Sequence, residues 1–193
     1  PVAPSINVNS PADALVAAET LGLPVAMKVN SPDIAHKSDV GGVRLNIREP
    51  RSVRSAYREM IEEVASNVPE ATISGVTIEP MMDRPHAREV MVGISRDPVF
   101  GPVISLGTGG TTMDIQADTD VALPPLNVYL CKDLIHRTRA ERALRSVRHL
   151  PEVDLAGVVD VLMRVSEMAC ELPEIEELVI NPLLVDEDSV IAV

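Results

Sequence analysis

The segment "REVMVGISRDPVFGPVISLGTGG", residues 88–110, limits the possible folds more than any other stretch. Two runs rich in Val, Ile and Leu flank the turn residues "RDPVFG", which is the signature of an antiparallel hairpin, here ending in a glycine-rich loop. A hairpin of that length is incompatible with a regular βαβ alternation, so the fold class expected is mixed α/β, an α+β arrangement with antiparallel pairs. Around it, "LPVAMKV" and "VRLNI" read as two strands joined by the polar loop 31–42. "TISGVTIEPMM", "ELVINPLLV" and "SVIAV" read as further strands. "SPADALVAAETLG" reads as a helix with Ser10 as cap, Pro11 in the first turn and Gly22 past its end. In residues 49–71, apolar Val53, Ala56, Tyr57, Met60, Ile61, Val64 and Ala65 recur at helical spacing. Residues 128–147 and 154–173 read as two more helices.

Composition narrows what such a fold can do. Apolar residues make up 46% of the 193, yet aromatics only 2%, with no Trp and one Phe, so the core is built from Val, Ile, Leu, Ala and Met. The same scarcity removes the stacking platforms of single-stranded nucleic acid binders. A net charge of -12 repels polyanions and anionic membranes, which excludes nucleic acid and membrane as partners while leaving room for a small anion in a locally positive pocket. No apolar run reaches membrane-spanning length, and no signal peptide is visible. Cys131 and Cys170 lack CxxC spacing and read as buried packing residues of a reducing, cytoplasmic compartment. The start at Pro1 and the end on "SVIAV" lead us to expect a piece of a longer protein.

Several polar residues stand where apolar ones are expected. Lys28 interrupts the strand "VAMKV": it either reaches an edge or a carboxylate, or it meets phosphate in a cleft. The loop after it carries His36, Lys37, Ser38, Asp39, Gly41 and Gly42. Glycines there bring backbone close to a phosphate or permit movement, and the imidazole is a candidate base, ligand or nucleophile, or a solvated surface group. Metal binding by His36 has less support, since His86, His136 and His149 have no paired spacing with it. Gly107, Gly109 and Gly110 form either a phosphate-cradling loop or a plain turn, and they match neither GxGxxG nor a P-loop. Glu79 precedes Pro80 at a strand end, a hinge whose freed backbone amide and carbonyl are able to bond an adenine edge, with Met81 and Met82 as an apolar wall or as core. Asn181, before Pro182, offers an amide oxygen to Mg²⁺ or closes an Asx turn.

The order of these residues, with "LGLPVAMKVNSPDIAHKSDVGGVRLNI", "REVMVGISRDPVFGPVISLGTGG", "ALPPLN" and "PEIEELVINPLLV", resembles the ATP-grasp domain of NDP-forming acyl-CoA synthetases from about Pro11 to Val193. The resemblance implies an ATP-grasp fold of two lobes, 1–82 and 83–193, with a nucleotide cleft between them. It implies an acid–thiol ligase that couples acyl-CoA synthesis or cleavage to ATP/ADP and Mg²⁺. His36 would be the phosphohistidine on a moving loop, with Lys37, Ser38, Gly41 and Gly42 serving the phosphoryl group and the movement. Lys28 would hold nucleotide phosphates, Glu79 and Met81 the adenine, and Asn181 the magnesium. Glu89, Gly109 and Gly110 would line the cleft. The implied partners are a CoA-binding domain or subunit, a nucleotide and an acyl-CoA, in an oligomeric full protein. The chain departs from the family pattern at Val179, where an acidic residue is usual, and at Thr111, Thr112, Met113 and Asp114. "ALPPLN" resembles versions fused to GNAT-type lysine acetyltransferases, which implies a regulatory, non-catalytic module as the alternative.

Overall fold

Two antiparallel sheets share out the strands, and the helices among the described residues pack on one face of each. The computed structural model describes residues 1–34, 36–82, 84–110, 119–145 and 151–193, so Thr111–Asp114 and His149 lie outside the described residues.

The first unit, Ala3–Asp83, holds strands β1 (Ile6–Val8), β2 (Val25–Asn30), β3 (Val43–Ile47) and β4 (Gly75–Pro80) in the order β1-β4-β2-β3. Helices α1 (Pro11–Leu21) and α2 (Pro50–Asn67) pack on it. α1 begins where Ser10 Oγ accepts from the Asp13 amide at 3.1 Å and ends before Gly22, whose φ of 85° suits glycine. Along α2 the buried residues are Val53, Tyr57, Met60 and Val64, the alternating three- and four-residue spacing of a single helical face. They meet Val25, Met27 and Val29 of β2 and Val76 and Ile78 of β4, all fully buried. The period of two then sends Lys28, Asn30, Thr77 and Glu79 to the face opposite α1 and α2.

The second unit comprises Arg84–Val193 together with Pro1–Val2, tied in by a bridge from Val2 to Ala192. Its strands β5 (Arg88–Asp97), β6 (Gly101–Thr108), β7 (Thr119–Ala122), β8 (Glu177–Val185) and β9 (Val190–Ala192) run in the order β7-β6-β5-β8-β9. The expected hairpin is β5–β6, paired from Val90↔Thr108 to Asp97↔Gly101. Asp97 closes its turn by accepting the amides of Val99 and Phe100 at 2.8 and 2.9 Å. Helices α3 (Val128–Arg137), α4 (Ala140–Leu144) and α5 (Leu155–Glu171) cover one face of this sheet. They bury Val90, Val92, Ile94, Ile104 and Leu106 against Leu134, Val158 and Leu162. Tyr57 is the aromatic that enters a core, and Phe100 is exposed at the hairpin tip.

Three details differ from the sequence reading. The strands β1 and β7 are too short to show a pattern. The helix expected over 128–147 breaks at Thr138, whose hydroxyl donates to the Ile135 carbonyl at 2.9 Å while its own backbone turns extended. Cys131 is buried as expected, but Cys170 is exposed, because the buried stripe of α5 runs through Val158, Leu162, Val165 and Ala169 and leaves position 170 on the solvent side.

Asp186 follows β8 and is buried, with Oδ2 2.6 Å from Arg84 and Oδ1 accepting the amides of Asp188 and Ser189 at 3.1 and 3.0 Å. Burial alone would push its carboxyl up, but the two amides and the Arg84 guanidinium outweigh that and hold it below the usual range. A depressed folded value stabilises the fold above the unfolded pKa of about 3.9 and is lost as pH falls through the folded value. Melting followed by circular dichroism from pH 6 to pH 3 should therefore show a fall in melting temperature below pH 4 that is shallower in Asp186→Asn.

Candidate functional site

On the face of the first sheet opposite α1 and α2 the register sets Ala26 opposite Glu79 and Lys28 opposite Thr77. Lys28 and Glu79 are thus diagonal neighbours, and Lys28 Nζ lies 2.6 Å from Glu79 Oε2. The side chains are 30% and 17% exposed, so the ammonium is held by a carboxylate yet open to a ligand from the face it occupies. Beside them the Thr77 hydroxyl is 2.7 Å and 2.8 Å from the amide oxygens of Asn7 and Asn30. Asn30 Nδ2 donates to Asn7 Oδ1 at 3.1 Å. This polar ladder escaped the sequence reading, since its members are separated by 23 to 70 residues and no local pattern links them.

The hinge after β4 differs from expectation. The strand pairs through Val25↔Pro80, and the Met81 amide donates to the Pro24 carbonyl at 2.9 Å. That amide is therefore already bonded within the protein, and the contribution of Glu79 on this face is its side chain.

The loop after β2 is anchored on both sides of His36. Ile34 is buried in the core of the first unit. Asp33 Oδ2 accepts the Thr72 amide at 2.7 Å. After His36, which is exposed, residues Lys37–Val40 form a single 3₁₀ turn. Gly41 follows with φ 75°, and the Gly42 amide donates to the Lys37 carbonyl at 2.7 Å. A Cβ on Gly42 would stand 2.5 Å from Val29 Cγ1 and 2.8 Å from that carbonyl oxygen. Both glycines are thus required by the turn that brings the chain back to β3, whatever movement they also permit.

The second sheet brings Glu89, Gly109, Gly110 and Asn181 together. Val90 pairs with Leu183 and Val92 with Ile180, so Asn181 and Pro182 together oppose Met91 in a β-bulge, a position that tolerates a proline without an N–H. Asn181 Oδ1 accepts the Gly110 amide at 2.7 Å. The Gly109 amide donates to the Glu89 carbonyl at 2.9 Å, and a Cβ on Gly109 would stand 2.7 Å from the Val90 backbone. A Cβ on Gly110 would run into the Glu89 carboxylate. The glycines are required here because the end of β6 lies directly on β5, and in this structure their amides are spent on the sheet. Glu177, Val179 and Asn181 alternate as the exposed positions of β8, so Val179 presents an apolar side chain where the family pattern would put a second carboxylate beside Asn181.

Magnesium fits this second set as a shared ion. Asn181 Oδ1 and the Glu89 carboxylate both border Gly110, and an amide oxygen with one carboxylate is the kind of hard-oxygen donor set that Mg²⁺ uses when waters and phosphate complete its octahedron. Among the described residues no group of three or more His, Cys, Asp or Glu is placed to hold an ion by itself. His86 and His136 face Glu187 and Glu141 at 3.1 and 2.6 Å, away from His36 in sequence and in role.

Comparison with known proteins gives these groups a context. Residues 1–193 match the ATP-grasp domain family. The chain is 39% identical over 173 residues to the beta subunit of acetate–CoA ligase [ADP-forming] I from Pyrococcus furiosus, covering 90% of this chain and 74% of that one. It is 38% identical over 170 residues to acetate–CoA ligase [ADP-forming] I from Archaeoglobus fulgidus, covering 88% of this chain and only 24% of that longer protein. Among solved structures it matches acetyl-coenzyme A synthetase 1 of Ca. Korarchaeum cryptofilum with coenzyme A and Ca-AMPCP, with TM-score 0.93 and 34% identity over 100% of this chain and 83% of that one. The same protein with coenzyme A and Mg-AMPPCP, its phosphohistidine segment pointing towards the nucleotide binding site, matches with TM-score 0.81 and 30% identity, covering 100% of this chain and 82% of that one. A regulatory acetyltransferase module finds no support among these relatives. The whole length of the chain matches one domain type, and the chain belongs to the ATP-grasp family, in the branch that includes the beta subunits of ADP-forming acetate–CoA ligases.

Proposed function

We propose that this chain is the nucleotide-handling domain of an ADP-forming acyl-CoA ligase, passing a phosphoryl group between ATP or ADP and His36. The observation that carries the reading is Lys28: a cation in mid-strand on the sheet face opposite α1 and α2, oriented by Glu79 and partly open, in a chain of the ATP-grasp family. Lys28 would lie along the nucleotide phosphates and neutralise charge on the group in transfer. In the direction of phosphohistidine formation, the unprotonated ring nitrogen of His36 would supply an electron pair to the γ-phosphorus. The bond from that phosphorus to the β,γ-bridging oxygen would break, and ADP would leave with its electrons. Lys37 and Ser38 stand next to the histidine and would meet the charge it then carries. Asn181 and Glu89 would hold Mg²⁺ together with phosphate oxygens, and the ion would supply further neutralisation of the phosphate charge.

The rest of the ligase would come from a CoA-binding domain or subunit, as the beta-subunit designation of the Pyrococcus furiosus relative supports. An oligomeric assembly in the cytoplasm completes the proposal. No helix among the described residues is long and apolar enough to cross a membrane.

Calorimetric titration with ADP, with Mg²⁺ or with EDTA, tests the reading. In Glu89→Gln and Asn181→Ala, affinity should fall about tenfold with Mg²⁺ and stay at the wild-type level in EDTA. An equal loss in both conditions would mean that these residues only shape the sheet. A wild-type chain that binds no nucleotide while folded would sink the proposal.

A further inference from the structure

The 3₁₀ turn after His36 is fastened to α2 by three side chains that no part of the phosphate chemistry requires. Arg44 donates through one guanidinium nitrogen to the Gly41 carbonyl at 2.8 Å and through the other to Glu63 Oε2 at 2.5 Å. The Glu63 carboxylate lies against Gly41 so closely that a Cβ there would collide with it. One helical turn further along α2, Asn67 Nδ2 donates to the Val40 carbonyl at 3.2 Å. Glu63 and Asn67, four residues apart, share one stripe of the helix: Asn67 bonds the chain four residues after His36, and Glu63 holds it through Arg44, which bonds the Gly41 carbonyl.

The side of the sheet on which this happens is informative. α2 covers the face formed by Val25, Met27 and Val29, whereas Lys28 and Glu79 project from the other face. A turn held against the helix layer is held on the side away from the ammonium that would receive the phosphates. The fastening is also weak enough to open: the Arg44 and Glu63 side chains are 26% and 50% exposed, and an ion pair that wet changes an equilibrium only severalfold.

We propose that Glu63, Arg44 and Asn67 are positioning residues that park the His36 turn on α2, away from the nucleotide, and that His36 accepts a phosphoryl group only after the turn leaves them. This rests on the reading of His36 as phosphate carrier. A parked state withdraws the phosphorylated or unphosphorylated imidazole from the nucleotide at a cost small enough to be reversed in each cycle.

The test compares wild type with Glu63→Ala and Asn67→Ala, both changes at the surface of α2. Three quantities are read: amide hydrogen exchange over residues 37–42, affinity for Mg-ATP by calorimetry, and the initial rate of His36 phosphorylation by Mg-ATP, followed by intact mass. Exchange at the Gly41 and Gly42 amides should quicken about fivefold in Glu63→Ala while α2 and β2 stay protected. Phosphorylation should quicken by a similar factor with Mg-ATP affinity unchanged. Exchange altered less than twofold in both variants would overturn the fastening. Faster exchange with an unchanged or slower phosphorylation would overturn the parked position, since the turn would then be held where His36 works. Absence of nucleotide binding in wild type fails the functional reading instead, and the exchange measurement, which needs no nucleotide, still decides whether the turn is held by α2.

Discussion

Lys28→Ala is expected to weaken Mg-ATP and Mg-ADP binding by more than about a hundredfold, the loss of a charge-assisted phosphate contact plus the field of an unpaired carboxylate. Two effects combine because of the ion pair. Removing the ammonium takes a cation from that face, and it leaves Glu79, only 17% exposed, as a bare negative charge where phosphate would lie. The two contributions are separable. In the double variant Lys28→Ala with Glu79→Gln the carboxylate is gone, so affinity should recover about tenfold from the single variant without reaching wild type. Calorimetric titration of the three chains measures this. If Lys28→Ala binds as wild type does, the ammonium is a strand-edge partner of Glu79 and nothing more, and the nucleotide must be held elsewhere.

His36→Ala should produce the complementary result. Phosphorylated protein after incubation with Mg-ATP, read as a mass increase, should vanish, while nucleotide affinity stays within about twofold of wild type, because His36 stands outside the sheet that carries Lys28 and donates no bond that the β2–β3 pairing needs. The melting temperature should also be unchanged, since the turn is built by Lys37, Gly41 and Gly42 and the imidazole is exposed. Phosphate that persists in His36→Ala would move the acceptor to another residue. Loss of nucleotide binding in the same variant would make His36 part of the nucleotide pocket instead of a carrier.

Much of the architecture was legible because it depends on neighbours in sequence. The α1 cap at Ser10, the stop at Gly22, the apolar stripe of α2 and the β5–β6 hairpin are each specified within a window of about twenty residues, and each is found where the pattern places it. The strand assignment of "VAMKV" alone was enough to send Lys28 to the face opposite Met27 and Val29, because side chains alternate along any strand. The break at Thr138 and the exposure of Cys170 were less accessible, one because a hydroxyl outcompeted the helix ladder, the other because position 170, one residue past Ala169, is turned about 100° from the buried stripe and a cysteine suits either side of that boundary.

What lay beyond the sequence is the identity of partners. That Lys28 is held by Glu79, fifty-one positions later, follows from the β2–β4 register, which two strands acquire only by pairing. That the amides of Gly109 and Gly110 are bonded to Glu89 and Asn181 follows from the closeness of β6 to β5 and from the bulge at Asn181. That Glu63 and Asn67 reach the His36 turn follows from α2 packing beside β3, the edge strand onto which that turn opens. Local stereochemistry writes elements and faces into a chain, whereas hydrogen bonds between distant side chains exist only once hydrophobic burial has brought those faces together.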